Sequence, residues 1–317
     1  MKRHLFALVA GAAVLFAVPA ATQPANRITI LADAFGTKAG LQHDWGFSAL
    51  VEYNGRRILF DTGNDAGKFA SNVAALGVDL RNLDAVVISH RHGDHTDGLH
   101  RLRTVNPDVV VYGPSDEYFG GPTPAAFFRR PDPNLPPEQR YFGGRVPAMI
   151  PHGTPWRGLK VVRAAGGIEI AAGIRLIENV APGREFGETP ELALVIDTPD
   201  GQVVLVGCSH PGIERILTSL ATPSRPVSLL VGGLHLLTAA DAEVDRVVAR
   251  LRTDFGVKRI APGRCSGEYT FGVLRRAFGQ AFVHAGVGEV LTFQQLDRAC
   301  SALPFRRSGA GLRASSL

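Results

Sequence analysis

Apolar residues occur in short runs along the chain, separated by glycine, proline and polar residues. Runs of about four to eight residues rich in valine, isoleucine and leucine are typical of β-strands. The segment "GFSALVEYNGRRILFDTG" (46–63) predicts a hairpin, because Asn54-Gly55 supplies the positive φ angles that a tight two-residue turn requires. Further strand-like runs lie at 27–34, 159–164, 167–178 and 191–198.

Several predicted strands run into a histidine. The runs at 83–90 and 227–237 are mainly apolar, as expected of strands buried on both faces, and contain His90 and His235 near their ends. A third run, 201–210, ends at His210. Loops at strand ends are where α/β folds usually carry their chemistry.

Helical spacing of apolar residues predicts helices that alternate with these strands. In each half of the chain, hairpins come first and an alternation of strands and helices follows. This order predicts two packed sheets with helices outside. The predicted helices cover 67–80 (ending near Gly77), 212–221, 240–256 and 267–279, and the strand-and-loop segments 257–265 and 281–293 complete the order.

The pattern fails between 113 and 158, where proline and glycine are dense and aromatic residues are interleaved. This irregular excursion is either a lid over a site or a structural loop pinned by its aromatic residues. The predicted domain spans 27–300, and the tail 301–317 is predicted to be disordered.

The N-terminus has the three parts of a secretory signal peptide. It has a basic start, an apolar run from Leu5 to Val18, and small residues at Ala20 and Ala21. We therefore expect residues 1–21 to be removed and the protein to be periplasmic or secreted. The alternative is a membrane anchor, but the run is short for a bilayer span of about 20 residues, so no stable membrane insertion is expected after cleavage.

Charge and cysteine content exclude two further classes. The 34 basic and 29 acidic residues are scattered, without the basic block expected of a nucleic-acid-binding protein. We therefore expect a small-molecule substrate and no nucleic-acid partner. The three cysteines, Cys208, Cys265 and Cys300, are too few for a disulfide framework, and either one pair bridges or all are free.

The segment "ISHRHGDHTDGL" (88–99) carries three histidines and two aspartates directly after a predicted buried strand. His90 and His92 can face one ion, and Gly93 permits a sharp turn after which Asp94 and His95 can face a second. Neutral imidazole and carboxylate are the usual zinc ligands, and two ions about 3.5–4 Å apart can share a hydroxide. The sequence therefore predicts a metal site.

The motif H-x-H-x-D-H, with "ILFDTG" (58–63) upstream, resembles the metallo-β-lactamase superfamily over nearly the whole predicted domain. "HDWGFSALVE", "GCSHPGI" (207–213) and "GGLHLL" (232–237) resemble, more narrowly, a subgroup of metal-dependent hydrolases related to the archaeal synthase that builds a dihydropterin–ribofuranosylaminobenzene phosphate. The resemblance implies an α/β fold, a four-layer αβ/βα sandwich with the metals at one edge.

The same resemblance implies metal ligands. His90, His92 and His210 are expected to hold the first metal, and Asp94 and His95 the second. The expected ion is zinc, as one tightly bound ion or as two ions, with iron and manganese as alternatives.

Three further residues receive roles from the resemblance. Asp61 is expected to orient the histidine loop by hydrogen bonds. Cys208 stands where the superfamily often has a bridging aspartate, and is either a ligand or an inert buried thiol. His235 is expected to contact the substrate, with metal ligation as the alternative.

One position departs from the subgroup. The subgroup usually reads "HCTG" near its end, but this chain reads "GRCSG", with Arg264 in place of the histidine. A guanidinium cannot ligate a metal, because it keeps its proton. Three outcomes follow: a weakly held second metal, a mononuclear site, or an Arg264 that binds an anionic substrate group. Glu188 and Glu191 are weaker candidates for substitute ligands.

These features predict a metallohydrolase that uses a metal-activated water on an ester, lactone, amide or phosphoester, with an anionic substrate. Asp94, His235 and Arg264 are the expected catalytic residues. The alternatives are a transferase related to the pterin-coupling synthase, and a non-catalytic binding protein with a degenerate metal site. The sequence predicts no particular oligomeric state.

Overall fold

The computed structural model describes residues 26–116, 118–119, 133–134, 136, 140, 145, 156–182, 188–220 and 225–293. The predicted signal peptide, the predicted disordered tail, Cys300 and most of the 113–158 excursion lie outside these residues. Among the described residues, no helix has both the length and the apolar character that a bilayer span requires.

Strands and helices alternate along the described chain. The first half contains β1 (Arg27–Ala32), β2 (Ser48–Tyr53), β3 (Arg56–Phe60), α1 (Ala66–Ala75), β4 (Ala85–Val87), α2 (Gly93–Thr96), α3 (Leu99–Val105), β5 (Val110–Gly113) and β6 (Lys160–Arg163). The second half contains β7 (Ile168–Ala171), β8 (Ile174–Ala181), β9 (Thr189–Thr198), β10 (Gly201–Val206), α4 (Ile213–Thr218), β11 (Val227–Gly232), α5 (Asp241–Thr253), β12 (Ile260–Pro262), α6 (Glu268–Phe278) and β13 (Val290–Thr292).

The strands form two sheets. The first has the order β13-β1-β2-β3-β4-β5-β6, and the second has the order β12-β11-β10-β9-β8-β7. In each sheet an antiparallel hairpin region joins a parallel region: β2–β3 is antiparallel and β3–β4 parallel, while β9–β10 is antiparallel and β10–β11 parallel. The two halves therefore repeat one arrangement, as the order of predicted elements indicated.

Three apolar layers hold the sheets and helices together. The central layer lies between the sheets and includes Phe60 and Val87 from the first and Leu194 and Leu205 from the second. A second layer joins α1 and α3 to the outer face of the first sheet, and a third joins α4, α5 and α6 to the second. Complete burial of one such side chain stabilises the fold by about 1.5–3 kcal/mol. The predicted four-layer αβ/βα sandwich is confirmed.

Element boundaries differ from the predictions at several places. The predicted strand 167–178 is two strands, because Gly173 adopts φ +72° and turns the chain between β7 and β8. The helix predicted for 67–80 ends at Ala75, shortly before Gly77 at φ +65°. The predicted hairpin at Asn54-Gly55 is confirmed, with φ angles of 48° and 77°.

The parallel strands bring their carboxyl ends to one edge of the sandwich. In the first half, β3 leads to Asp61 and β4 to His90; in the second, β10 leads to His210 and β12 to Arg264. The two halves are tied together here, since the Leu192 amide of β9 donates to the Ser89 carbonyl at 2.8 Å. The edge is thus built from both sheets.

Candidate metal centre

Three histidines converge at this edge. His90, His92 and His210 each offer a ring nitrogen, and these atoms lie within 4.8 Å of one another. The ring centroids are 4.6–4.7 Å apart in all three pairs. His90 is fully buried, whereas His210 is half-buried and His92 exposed, so the group opens to solvent on one side.

Two of the three rings are fixed by hydrogen bonds at Nδ1. His90 Nδ1 lies 2.8 Å from Ser89 Oγ, and His210 Nδ1 lies 3.0 Å from Glu191 Oε2. Both rings therefore keep Nε2 for a metal. Burial, followed by the neighbouring histidines, lowers the pKa of His90 well below its usual value, and burial with His210 lowers the pKa of His92 to about 4. His90 and His92 therefore stay neutral and keep the lone pairs that metal ligation requires. With Nδ1 of His210 engaged by Glu191, the three rings fit a metal ion.

Asp61 lies beneath the histidine loop. Its fully buried carboxylate accepts from the Ser89 amide at 2.7 Å and the Ser89 hydroxyl at 2.8 Å, and it lies 2.7 Å from His95 Nδ1. Burial raises the pKa of Asp61. Burial would lower the pKa of His95, but the Asp61 carboxylate outweighs burial and raises it to about 9. These contacts are those that the orienting role predicted for Asp61 requires.

Glu191 plays the corresponding part under the third histidine. Its buried carboxylate accepts from three successive amides, those of Cys208 (2.9 Å), Ser209 (2.7 Å) and His210 (2.8 Å), in addition to the His210 imidazole. Burial would raise the pKa of Glu191, but the hydrogen bonds from His210 and the amides hold it below its usual value. Both oxygens are engaged, which corrects the expectation that Glu191 is a substitute ligand.

Among the described residues, two groups of ligand atoms converge: those of His90, His92 and His210, and those of His90, His95 and Cys208. Glu188 belongs to neither. Its backbone carbonyl accepts from Arg91 at 2.9 Å, on the rim of the site. The expectation of a Glu188 ligand is therefore not supported by its position.

A second set of donors lies behind the first. His95 Nε2 is 3.2 Å from Cys208 Sγ and 3.6 Å from Asp94 Oδ2. Cys208 Sγ is in turn 2.8 Å from Cys265 Sγ. The Cys208 hydrogen bond lowers the pKa of Cys265 to about 5, and the same pairing raises the pKa of Cys208.

The Arg264 guanidinium occupies the space between these donors. Its Nη2 contacts Asp94 Oδ2 and lies 3.0 Å from His95 Nε2, and its Nη1 contacts Cys265 Sγ. The side chain is only 2% exposed. The sequence predicts Arg264 at the second metal position and allows direct binding of an anionic substrate group as one outcome. The buried guanidinium does not lie on the open face, so its position does not support direct substrate binding.

His235 and Trp45 lie on the exposed side of the site. The His235 ring is 4.5 Å from the His210 ring and is exposed, at a residue with φ +50°. Trp45 is 49% exposed, and the Arg264 guanidinium carbon lies 5.0 Å from its ring centroid. Since His235 belongs to neither group of convergent donors, its position fits the predicted substrate contact.

Close packing between the halves depends on a glycine. A Cβ atom on Gly207 would lie 2.2 Å from Ser89 Oγ and 2.7 Å from Ser89 Cβ. The residue after β10 must therefore lack a side chain if Ser89 is to reach both Asp61 and His90.

Four contributors to the site were not predicted: Ser89, Cys265, Trp45 and the supporting role of Glu191. Ser89 and Cys265 adjoin His90 and Arg264 in the sequence, so their positions offered a signal. Glu191 offered none, because its partners lie 17 to 19 residues away on another strand.

The family model of the metallo-beta-lactamase superfamily matches residues 46–264. The chain belongs to the metallo-beta-lactamase superfamily. Members typically bind divalent metals, which agrees with the histidine-rich groups described above.

Among relatives of this superfamily member, 7,8-dihydropterin-6-methyl-4-(beta-D-ribofuranosyl)-aminobenzene-5'-phosphate synthase of Methanocaldococcus jannaschii is 28% identical over 274 residues, covering 80% of this chain and 90% of the synthase. The crystal structure of Tm1679, a metal-dependent hydrolase of the beta-lactamase superfamily, matches with a TM-score of 0.65 and 26% identity, covering 84% of this chain and 98% of that one. The fold also matches the metallo-beta-lactamase fold protein YhfI of Bacillus subtilis, with a TM-score of 0.54 and 14% identity over 84% of this chain and 98% of that one. The family and the named synthase support an enzyme.

Proposed function

We propose that this superfamily member is a metal-dependent hydrolase that binds one divalent ion tightly through His90, His92 and His210, with zinc as the expected metal. The observation that carries the proposal is the convergence of three imidazole nitrogens within 4.8 Å, open to solvent on one side. Three protein ligands with an open position are typical of catalytic zinc sites, whereas structural sites are closed.

A divalent ion bound there supplies a Lewis acid and lowers the pKa of water toward neutrality. The protein's part is to hold the three rings. Ser89 and Glu191 fix the orientations of His90 and His210 through Nδ1. Such supporting hydrogen bonds typically change metal affinity 10- to 100-fold when removed.

Asp94 is the best candidate for handling the proton of the attacking water. Its carboxylate is 19% exposed and adjoins the histidine group. Burial would raise the pKa of Asp94, but His95 and Arg264 hold it below its usual value, so it is ionised at neutral pH. An ionised carboxylate can orient a water molecule or accept its proton. His235, whose exposed ring is 4.5 Å from the His210 ring, is proposed to contact the substrate.

The proposed substrates are esters, lactones, amides or phosphoesters. We further propose that the substrate carries an anionic group, and the positive charge of Arg264 supports this. Because that charge is buried and paired with Asp94, we expect a modest preference. Comparing kcat/KM for a neutral ester and for the same ester bearing a carboxylate measures it.

A transferase of the synthase type is the second candidate. It is favoured by the alignment with the archaeal synthase, which covers 80% of this chain. A hydrolase incorporates oxygen from ¹⁸O-labelled water into its product with a single substrate, whereas a transferase requires a second substrate as acceptor.

The test begins with metal content. Purified protein is stripped, reloaded with zinc, and assayed on a chromogenic ester, a lactone, a β-lactam and a phosphodiester. His210→Ala is expected to lose both the tight ion and the activity, while His100→Ala, an exposed histidine on α3, is the matched control and should keep both. Unchanged zinc content and activity in His210→Ala would refute the proposed ligand set. Tight zinc without turnover of any substrate would favour a binding protein.

A further inference from the structure

The donors behind the three-histidine group form a set that could itself surround a metal ion. Asp94 Oδ2, His95 Nε2 and Cys208 Sγ follow one another at 3.6 and 3.2 Å, and Cys265 Sγ is 2.8 Å from Cys208 Sγ. Carboxylate, imidazole and thiolate together suit a zinc-like ion. In this chain, however, the space between them is filled.

The filling group is a cation of the protein. Both terminal nitrogens of Arg264 lie among the four donors: Nη2 contacts Asp94 and lies 3.0 Å from His95 Nε2, while Nη1 contacts Cys265 and lies 4.0 Å from Cys208 Sγ. One guanidinium therefore meets every donor of the set.

The position of this guanidinium is fixed from several sides. Arg264 lies on a 3₁₀ turn (Arg264–Ser266) shortly after β12, and its backbone amide donates to Asp33 Oδ2 at 3.3 Å. Trp45 covers the guanidinium on its outer side. Arg264 Nε is buried and has no hydrogen-bond partner among the described residues, so the planar fork is held here by its two terminal nitrogens.

We propose that the Arg264 guanidinium takes the place of a second metal ion in this protein. It is a permanent cation that pairs with Asp94, holds that carboxylate in position and leaves the three-histidine group as the tight metal site. The inference rests on the proposed function only for the ion expected at that first site. Arg264 is then a positioning residue that acts through Asp94, not a group that touches the substrate.

Charge and space both exclude a second ion while the guanidinium is present. Arginine stays protonated at every usable pH, so a dication within about 4 Å meets a fixed like charge. The same nitrogens also engage the Asp94 and Cys265 atoms that the ion would need. We expect the affinity for a second ion to be lower by several powers of ten than in a protein without this side chain.

Cobalt content and absorption provide the test, because cobalt bound to a thiolate produces a charge-transfer band that cobalt bound to histidines and carboxylates does not. Protein loaded with cobalt is measured as the unmodified chain, as Arg264→Ala, and as the Arg264→Ala/Cys208→Ser/Cys265→Ser triple variant. We expect one cobalt and no thiolate band in the unmodified chain, one additional cobalt with the band in Arg264→Ala, and loss of the band in the triple variant. Arg264→Lys retains a cation and should gain less cobalt than Arg264→Ala.

The outcomes separate this inference from the proposed function. An unmodified chain that holds no cobalt, with an Arg264→Ala variant that gains one together with the band, would support the surrogate role while overturning the proposed first site. Two tight ions or a thiolate band in the unmodified chain would overturn the surrogate role, and this result does not depend on whether any variant folds. Failure of a folded Arg264→Ala variant, checked by circular dichroism, to gain cobalt would also overturn it.

Discussion

Replacing Glu191 by glutamine tests how the third histidine is presented. A glutamine keeps one acceptor oxygen, which can serve the Cys208 and Ser209 amides that now lie 2.9 and 2.7 Å from Oε1. Its NH₂ group then faces the His210 amide and Nδ1, now 2.8 and 3.0 Å from Oε2. The amide N–H and the new NH₂ are two donors without an acceptor. Nδ1 can accept from the NH₂ group only if the imidazole proton moves to Nε2.

Two consequences can be given magnitudes. Hydrogen bonds to a charged group contribute about 1.5–3 kcal/mol each, so the loss of two should lower the free energy of unfolding by roughly 3–5 kcal/mol after partial relaxation. A proton on Nε2 blocks the nitrogen that His210 would offer to a metal. The affinity for zinc should therefore fall by about 10- to 100-fold, or roughly 1.4–2.8 kcal/mol.

Long-range ¹H–¹⁵N correlation spectra of histidine-labelled, metal-free protein report which nitrogen of His210 carries the proton. Chelator competition measures zinc affinity, and urea denaturation measures stability. Glu178→Gln is the matched control, since Glu178 on β8 also accepts from two backbone amides, at 2.6 and 2.9 Å, but lies away from the histidines. If Glu191→Gln keeps the proton of His210 on Nδ1 and binds zinc within twofold of the unmodified protein, the tautomer reasoning is refuted.

Three further predictions concern the buried edge and the N-terminus. Burial raises the pKa of Asp33 to about 7, above its unfolded value of 3.8, so its protonation contributes stability that is fully present below about pH 4 and is lost as pH rises through 7. Relative to the unmodified chain, Asp33→Asn should therefore gain up to about 4 kcal/mol of stability in urea titrations between pH 4 and pH 8, and an equal difference at both pH values would contradict this. Gly207→Ala should lose about 1–3 kcal/mol in the same titrations, because its Cβ would meet Ser89. Gly272→Ala on α6 is the control and should not lose stability, because its Cβ would meet only the end of the Arg276 side chain, at 3.5 Å. Exported protein should begin after Ala20 or Ala21 on N-terminal sequencing, and an intact Met1 in a soluble cytosolic fraction would exclude cleavage.

The strands and their order could be predicted because their signals are local. Asn54-Gly55 specifies a hairpin turn from its own conformational freedom, and the apolar run before His90 reads as a buried strand without knowledge of its partners. Boundaries were less predictable, since the strand-like run at 167–178 contains a turn at Gly173, and a single glycine inside such a run does not by itself specify a turn.

The site was predictable as far as its ligands share a motif. His90, His92, Asp94 and His95 lie within six residues, and His210 ends a recognisable strand. The supporting contacts could not be predicted, because they join residues far apart in sequence. Cys208 meets Cys265 across 57 positions, and the Arg264 side chain meets Asp94 across 170. Only the packing of the two sheets brings these pairs together.

The division of the three histidines between the two halves has a consequence for folding. His90 and His92 follow β4 of the first sheet, while His210 follows β10 of the second. An ion bound by all three is a cross-link between the halves that forms only after they have packed. Such an ion binds the native state and not the unfolded chain, so free metal at 1,000 times its dissociation constant would add about 4 kcal/mol to stability. Thermal unfolding should then depend on metal concentration, and either half produced alone should bind the ion far more weakly than the intact chain.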